Sequence, residues 1–241
     1  MSLNMTSPVT PTLVADQVYE VLENAILTGS LESGKPLRVR DLAAMVGTSV
    51  MPVREAIRRL EEAGLATRIP HKGAVVRTFT ATELIHIYDV RTILEVEAAT
   101  LGAPRVSRKD LHLMEASCRK MQDAVDEGRI VDALDLDEDV LRTLYRASGN
   151  PVLVSTIEQL WLQCRPYKVI GATEALAKND NTLWTPQPAL VQALTSGDTA
   201  AATTITADSL ASALRRLELR LEPTHQPGAA RPGNIHEEIT R

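Results

Sequence analysis

Gly47-Thr48-Ser49-Val50-Met51-Pro52-Val53-Arg54-Glu55-Ala56-Ile57-Arg58-Arg59-Leu60-Glu61-Glu62-Ala63-Gly64 carries a helix start, a helix stop and two unlike faces. Gly47 accepts the left-handed conformation that closes a preceding helix. Ser49 is a capping residue type. Pro52 is tolerated in the first turn, where its missing N–H has no intrahelical partner. Val53, Ala56, Ile57 and Leu60 recur at i, i+3, i+4 and i+7 as one apolar stripe. Val50, Met51, Arg54, Glu55, Arg58 and Arg59 lie off that stripe, and Gly64 ends the helix. Two readings fit this stretch alone: an ordinary surface helix with solvated charges, or a helix that reads DNA. The flanking chain decides between them.

Upstream, Val14, Val18, Val21, Leu22, Ala25 and Ile26 follow helical spacing from Leu13 to Thr28, and Gly29 stops that helix. Leu31 to Leu37 is a turn-rich connector. Arg40 to Val46 reads as a short helix with Leu42, Ala43 and Val46 inward, and the tight turn after it completes helix–turn–helix spacing. Downstream, Leu65–Ile69 and Ala74–Arg77 are β-prone, and Pro70-His71-Lys72-Gly73 between them is a hairpin loop with Gly at the strained position. Three helices and a small hairpin make a winged helix–turn–helix, with His71 and Lys72 at the wing tip.

The charge distribution agrees. The chain of 241 residues has a formal net charge of −5. Nine bases and four acids lie between Lys35 and Arg77, a local charge of +5, so the remainder carries −10. A basic segment on an acidic body suits a protein that presents one end to phosphate. Aromatic residues are only 3% of the chain, which argues against nucleic-acid binding by base stacking. Cys118 and Cys164 stand far apart, fit no zinc pattern, and read as buried thiols of a reduced, cytoplasmic protein. No apolar run approaches a membrane span, and the N-terminus lacks the pattern of a secretion signal. Residues 1–11 read as a disordered leader, with Met1 to Asn4 set apart from the fold, and 223–241 as a disordered tail.

From Thr80 onward only helical patterns occur, so the fold class is mainly α: a winged head over 12–78 and an all-helical bundle of six or seven helices over 79–222. Thr80-Ala81-Thr82-Glu83 is a capping box that opens a long helix with Leu84, Tyr88, Arg91, Glu95 and Ala98 near one face. Ser107 to Asp110 opens the next helix, which runs to Gly128. A third spans about Ile130 to Ser148. A fourth starts at Pro151 and passes Pro166, where a kink is expected, and Gly171 to Asn181 is expected to be a loop. Helices from Thr185 or Pro186 to Thr195, and from Gly197-Asp198 to about Leu221, complete the bundle.

These residues together closely resemble the GntR family of bacterial transcription regulators. The matching pieces of the head are Ile26 to Leu31, Asp41-Leu42-Ala43, Pro52 to Leu60 and Glu62 to Leu65. The remainder is similar to the FadR-type (FCD) effector domain through Asp89 to Glu95, Ala147-Ser148-Gly149-Asn150-Pro151 and Ala193 to Asp198. The resemblance covers nearly the whole chain. It implies a homodimer with two winged heads on an inverted-repeat operator in double-stranded DNA, most often as a repressor. It also implies a helical domain that binds a small organic effector, usually a carboxylate, and shifts the heads through differential affinity. The residues expected to meet DNA are Arg40, Ser49, Val50, Met51, Arg54, Arg58, His71, Lys72 and Gly73.

Two departures stand out. Val50 occupies a position where the family usually has Arg, so apolar contact with a thymine methyl replaces an arginine contact there. The family also often holds a divalent metal on one Asp and three His, and the corresponding positions here are Asp137, Leu141, Gln187 and Ser209. Leu141 cannot coordinate, and a carboxylate with an amide and a hydroxyl is a poor transition-metal set, so neither metal nor other cofactor is expected. Instead, Arg91, Glu95, Asp137, Leu141, Gln187 and Ser209 are expected around a pocket for an organic ligand, with Arg91 favouring a carboxylate. The competing reading of Arg91 is a buried pair with a carboxylate of its own chain. An enzyme is not expected, because no nucleophile–base pair or phosphate loop is present. A protein-interaction module that has lost operator binding is the remaining alternative, prompted by Val50.

Overall fold

The computed structural model of the protein describes residues 12–70 and 73–221. The expected leader and tail, and the wing-tip residues His71 and Lys72, therefore lie outside the described residues.

The head is built on α1 (Thr12–Leu27), α2 (Val39–Met45) and α3 (Val50–Glu62), followed by β1 (Ala66–Ile69) and β2 (Gly73–Val76). Gly47 turns the chain from α2 into α3 at φ +68°, and Gly64 ends the α3 turn at φ +74°. Both conformations are open to glycine at little steric cost. The four α3 stripe residues are buried and share one core with Val18, Leu22 and Ile26 of α1 and Leu42 and Ala43 of α2. The two strands pair antiparallel with Ala66 opposite Val76 and Ile69 opposite Gly73. The connector adds a further edge, since Leu37 N donates to Ala74 O at 2.8 Å and Pro36 bridges Val75.

The body follows as α4 (Ala81–Gly102), α5 (Arg108–Asp126), α6 (Ile130–Arg146), α7 (Pro151–Ala177), α8 (Pro186–Thr195) and α9 (Thr199–Leu221), with 3-10 turns at Ala103–Arg105 and Thr182–Trp184. Thr80 and Glu83 form a complete capping box on α4, and Ser107 and Asp110 form another on α5. Helix α4 packs against α6, α7 and α9, so its buried stripe lies at the centre of the bundle.

One expectation is corrected. Gly171 to Ala177 is helical and belongs to α7, which continues beyond Pro166. Ala172 is buried in a satellite core with Leu134 and Trp184, and Leu176 packs against it, so burial of this face outweighs the breaker signals of Pro166 and Gly171.

The head sits on the middle of α7. Leu162 packs into the head core, and the Phe79 N–H donates to the Tyr167 hydroxyl at 2.8 Å. The Phe79 and Tyr167 rings meet edge to face at 6.1 Å. Arg77 lies 4.2 Å over the Phe79 ring and within 3.4 Å of Glu83, bracing the link between head and body.

A DNA-reading face and an effector cavity

The outer face of α3 divides along its length. Its first turns present Ser49, Val50, Met51 and Arg54 to solvent, with Val50 40% and Met51 68% exposed. Large apolar side chains are thus held in water at the start of this helix. Ser49 occupies the cap position, but its side chain makes no capping hydrogen bond, so its hydroxyl stays outward. Arg54 is exposed and has no ion pair or hydrogen bond among the described residues. Arg40 on α2 is likewise exposed and unpaired among them, and Gly73 is exposed at the start of β2.

Arg58 differs from the residues expected beside it. Its Nε donates to Glu55 at 3.0 Å, and its two terminal nitrogens bond Glu55 and Glu62 of the same helix. The i, i+3 and i, i+4 spacing makes these pairs local. Arg59 also turns away, pairing with Asp16 and lying 4.3 Å over the Tyr19 ring, which ties α3 to α1. Arg54 is thus the one arginine of α3 without an ion pair among the described residues.

The second site lies inside the body. Arg91, Glu95, Asp137, Leu141, Gln187 and Ser209, from α4, α6, α8 and α9, all line one cavity of about 60 Å³. The family resemblance implied that these six lie near one pocket, and all six do line this cavity.

Their individual roles are less uniform. Glu95 is 1% exposed and accepts from Arg91 Nε and Trp161 Nε1, both at 2.8 Å, through one oxygen. Its other oxygen accepts from the Tyr145 hydroxyl at 3.0 Å. With three donors engaged, Glu95 orients its neighbours, and the Arg91–Glu95 pair is the self-pairing that competed with a ligand role. Yet the pair does not exhaust Arg91. Its Nη1 is buried without a hydrogen-bond partner, as are Trp184 Nε1 and Gln187 Oε1. Buried polar groups in a folded protein ordinarily have partners, and these three atoms in the walls of one cavity have none among the described residues. Burial disfavours the Arg91 charge, but Glu95, Tyr88 and Cys164 together overcome it and raise its pKa. Arg91 also lies 4.5 Å over the Tyr88 ring.

Asp137 faces Lys168 of α7, whose Nζ is 3.3 Å from Asp137 Oδ2 and 3.3 Å from Glu138 Oε1. Burial opposes the Lys168 charge, but Glu138 and Asp137 overcome it and raise its pKa. Burial likewise pushes the Asp137 carboxyl upward, against the pull of Lys168. Behind this group Arg165 pairs with Glu138 at 3.0 Å and with Asp135 at 2.5 Å, although its Nη1–Glu138 contact lacks hydrogen-bond geometry. Three cations, Arg91, Lys168 and Arg216, therefore line the cavity against two carboxylates, Glu95 and Asp137.

The donor set does not fit a divalent ion. Asp137 is already paired with an ammonium, and Leu141, Gln187 and Ser209 supply no imidazole. Burial pushes the Cys118 thiol up to about 11 and raises Cys164.

Sequence reasoning missed Lys168, Tyr88, Trp184, Thr206 and Arg216 as lining residues. Lys168 had a readable signal. Ile157, Trp161, Cys164 and Ala172 form a buried stripe at helical spacing, and Lys168 falls within it. A lysine in an apolar stripe needs a buried partner. Expecting a kink at Pro166 and a loop from Gly171 broke the stripe at that point.

With this geometry in view, comparisons with known proteins are informative. The family described as bacterial regulatory proteins, gntR family, matches residues 14–76, and the FCD domain matches residues 86–212. The HTH-type transcriptional regulator McbR of Escherichia coli is 29% identical over 163 residues, 66% of this chain and 74% of that protein. A probable D-xylose utilization operon transcriptional repressor of Paenarthrobacter nicotinovorans is 29% identical over 191 residues, 78% of this chain and 82% of its own. Among solved structures, Escherichia coli McbR/YncC superimposes with a TM-score of 0.73 at 24% identity, covering 90% of this chain and 99% of that one. A GntR regulator from Rhodococcus gives 0.74 at 20% identity, covering 85% and 97%. At those identities the structures speak for the fold alone. No helix among the described residues is long and apolar enough to cross a membrane.

Proposed function

The chain belongs to the gntR family of bacterial regulatory proteins and carries an FCD effector-binding domain, and from that premise we propose that it represses transcription as a homodimer on an inverted-repeat operator, released or retained by a small organic acid. The observation that carries the DNA side is the exposed first half of α3, where Arg54 stands unpaired beside Val50 and Met51. The orphaned Arg91 Nη1 in a cavity richer in cations than carboxylates supports an acid as effector.

Helix α7 offers the connection between the two sites. Lys168 lines the cavity, and the adjacent Tyr167 holds Phe79 at the base of the head. An anion drawn to Lys168 competes with Asp137 and Glu138 for its N–H donors. Any resulting shift of α7 reaches the head through Leu162 and Tyr167. Coupling of this kind acts only through a difference in ligand affinity between the two head arrangements.

A gel-shift series against the chain's own upstream DNA tests the regulator reading. Specific retention that falls steeply with salt is expected, because phosphate contacts release counterions. Arg54→Ala is expected to weaken specific binding by about 1–3 kcal/mol and relax base preference at one position of each half-site. Arg58→Ala should change affinity far less, because Glu55 and Glu62 already neutralise that guanidinium. Equal losses at the two positions would refute this orientation of α3. No retention of any genomic fragment, even after Val50→Arg, would favour the interaction-module reading.

A further inference from the structure

The inner cavity is small, about 60 Å³, and is lined by the charged groups described above. A second chamber of about 390 Å³ adjoins it, and Tyr88, Leu134, Lys168, Leu183, Ala213 and Arg216 line both. That volume lies within the range of ordinary ligand sites. Ala172, Ala175, Leu217 and Leu219 of α7 and α9 add apolar wall to the shared residues, while Glu174, Lys178 and Asp180 add charged groups to its lining. The charged end of the combined space holds Arg91 with its orphaned nitrogen and Lys168 with two carboxylate partners for three N–H donors.

We propose that the effector is an amphipathic monocarboxylate, its carboxylate held between Arg91 and Lys168 in the inner cavity and its hydrocarbon tail lying in the outer chamber between α7 and α9. The proposal rests on the reading of the body as an acid sensor and adds the class of acid. Three cations face two carboxylates in the inner cavity, while the outer chamber adds Lys178, Glu174 and Asp180 and leaves the combined lining neutral, so the attraction for a carboxylate is local to Arg91 and Lys168. Arg91 and Lys168 repel each other across the site, and an anion between them relieves that repulsion. A short polar acid would leave the outer chamber filled with water, whereas a tail displaces that water favourably.

Calorimetric titration of the full chain with straight-chain alkanoates from acetate to decanoate tests the proposal, with alkanols of equal length as controls. Kd should fall about fourfold per added methylene until the chamber is full, then level off. The alkanols should bind at least about tenfold more weakly, lacking a charge-assisted contact. Ala175→Phe should remove the gain from longer chains and leave the shortest acids unaffected, while Arg91→Gln should abolish binding of all acids. If acids bind without dependence on length, the tail site is wrong and the acid-sensor reading stands. If alkanols match the acids, the chamber acts without carboxylate recognition and the proposal is overturned. If no acid binds, both the proposal and the sensor reading fall. The length series on the unmodified chain decides these cases even where a variant fails to fold.

Discussion

Glu95→Ala is expected to destabilise the helical body by about 3–5 kcal/mol, the cost of leaving one partner of a buried ion pair alone. Arg91 is 4% exposed and has no second carboxylate on its Nε, so its charge would stay buried without compensation. The substitution also strands the Trp161 indole N–H and the Tyr145 hydroxyl, 2% and 1% exposed, whose acceptor is Glu95. Burial and Glu95 both hold that tyrosine hydroxyl protonated, so it cannot relieve the loss by ionising. Trp161 and Trp184 are the two tryptophans of the chain, and both lie in the body. Tryptophan fluorescence during denaturant unfolding therefore reports on that domain alone. A midpoint shift with unchanged slope is the expected signature. A loss below about 1 kcal/mol would mean the network is dispensable, because typical single hydrogen bonds contribute about that much. Glu95→Gln should lose less, since it keeps an acceptor for the indole and hydroxyl donors.

The second large effect is expected at Gly102, where α4 crosses the end of α6. A Cβ at this position would lie 2.2 Å from the Leu144 carbonyl oxygen and 3.3 Å from the Ser148 backbone nitrogen. Both obstacles are backbone, so no side chain can swing aside. Gly102 sits inside a helix, where alanine would ordinarily gain up to about 1 kcal/mol. Here overpacking reverses the sign, and Gly102→Ala is expected to destabilise by about 1–3 kcal/mol or more. The crossing is further pinned by Arg105, whose Nη1 donates to Ser148 O at 2.6 Å. Thermal unfolding followed by circular dichroism is the direct measurement. A rise in Tm on Gly102→Ala would show that α4 and α6 can separate freely, contrary to the crossing described.

The winged head was legible from the chain because its signals are local. Gly47 and Gly64 bound a helix whose stripe repeats at i, i+3, i+4 and i+7, and that stripe is the buried face of α3. The capping boxes at Thr80 and Ser107 act over three residues and form as their sequences imply. Family spacing also placed Arg91, Glu95, Asp137, Leu141, Gln187 and Ser209 around one cavity. It could not apportion their roles. Glu95 and Arg91 both suit an anion or cation site, and only the positions of Trp161 and Tyr145, 66 and 50 residues away, commit Glu95 to its neighbours.

What tertiary structure alone decided concerns partners distant in the chain. Arg58 and Arg59 are adjacent in sequence, but only the packing of α3 on α1 turns Arg59 to Asp16, 43 residues away, and over the Tyr19 ring. Pro166 and Gly171 look like breakers, but Ala172 and Leu176 meet the core from α7, and that burial continues the helix. The continuation brings Lys168 to Asp137 and Glu138 and lines a chamber beside the inner cavity. Local propensity is a matter of tenths of a kcal/mol to about 1 kcal/mol per residue. Burying a side chain or pairing a buried charge is worth several times more. The elements were therefore readable from neighbours along the chain, while the chemistry of the site was set by neighbours in space.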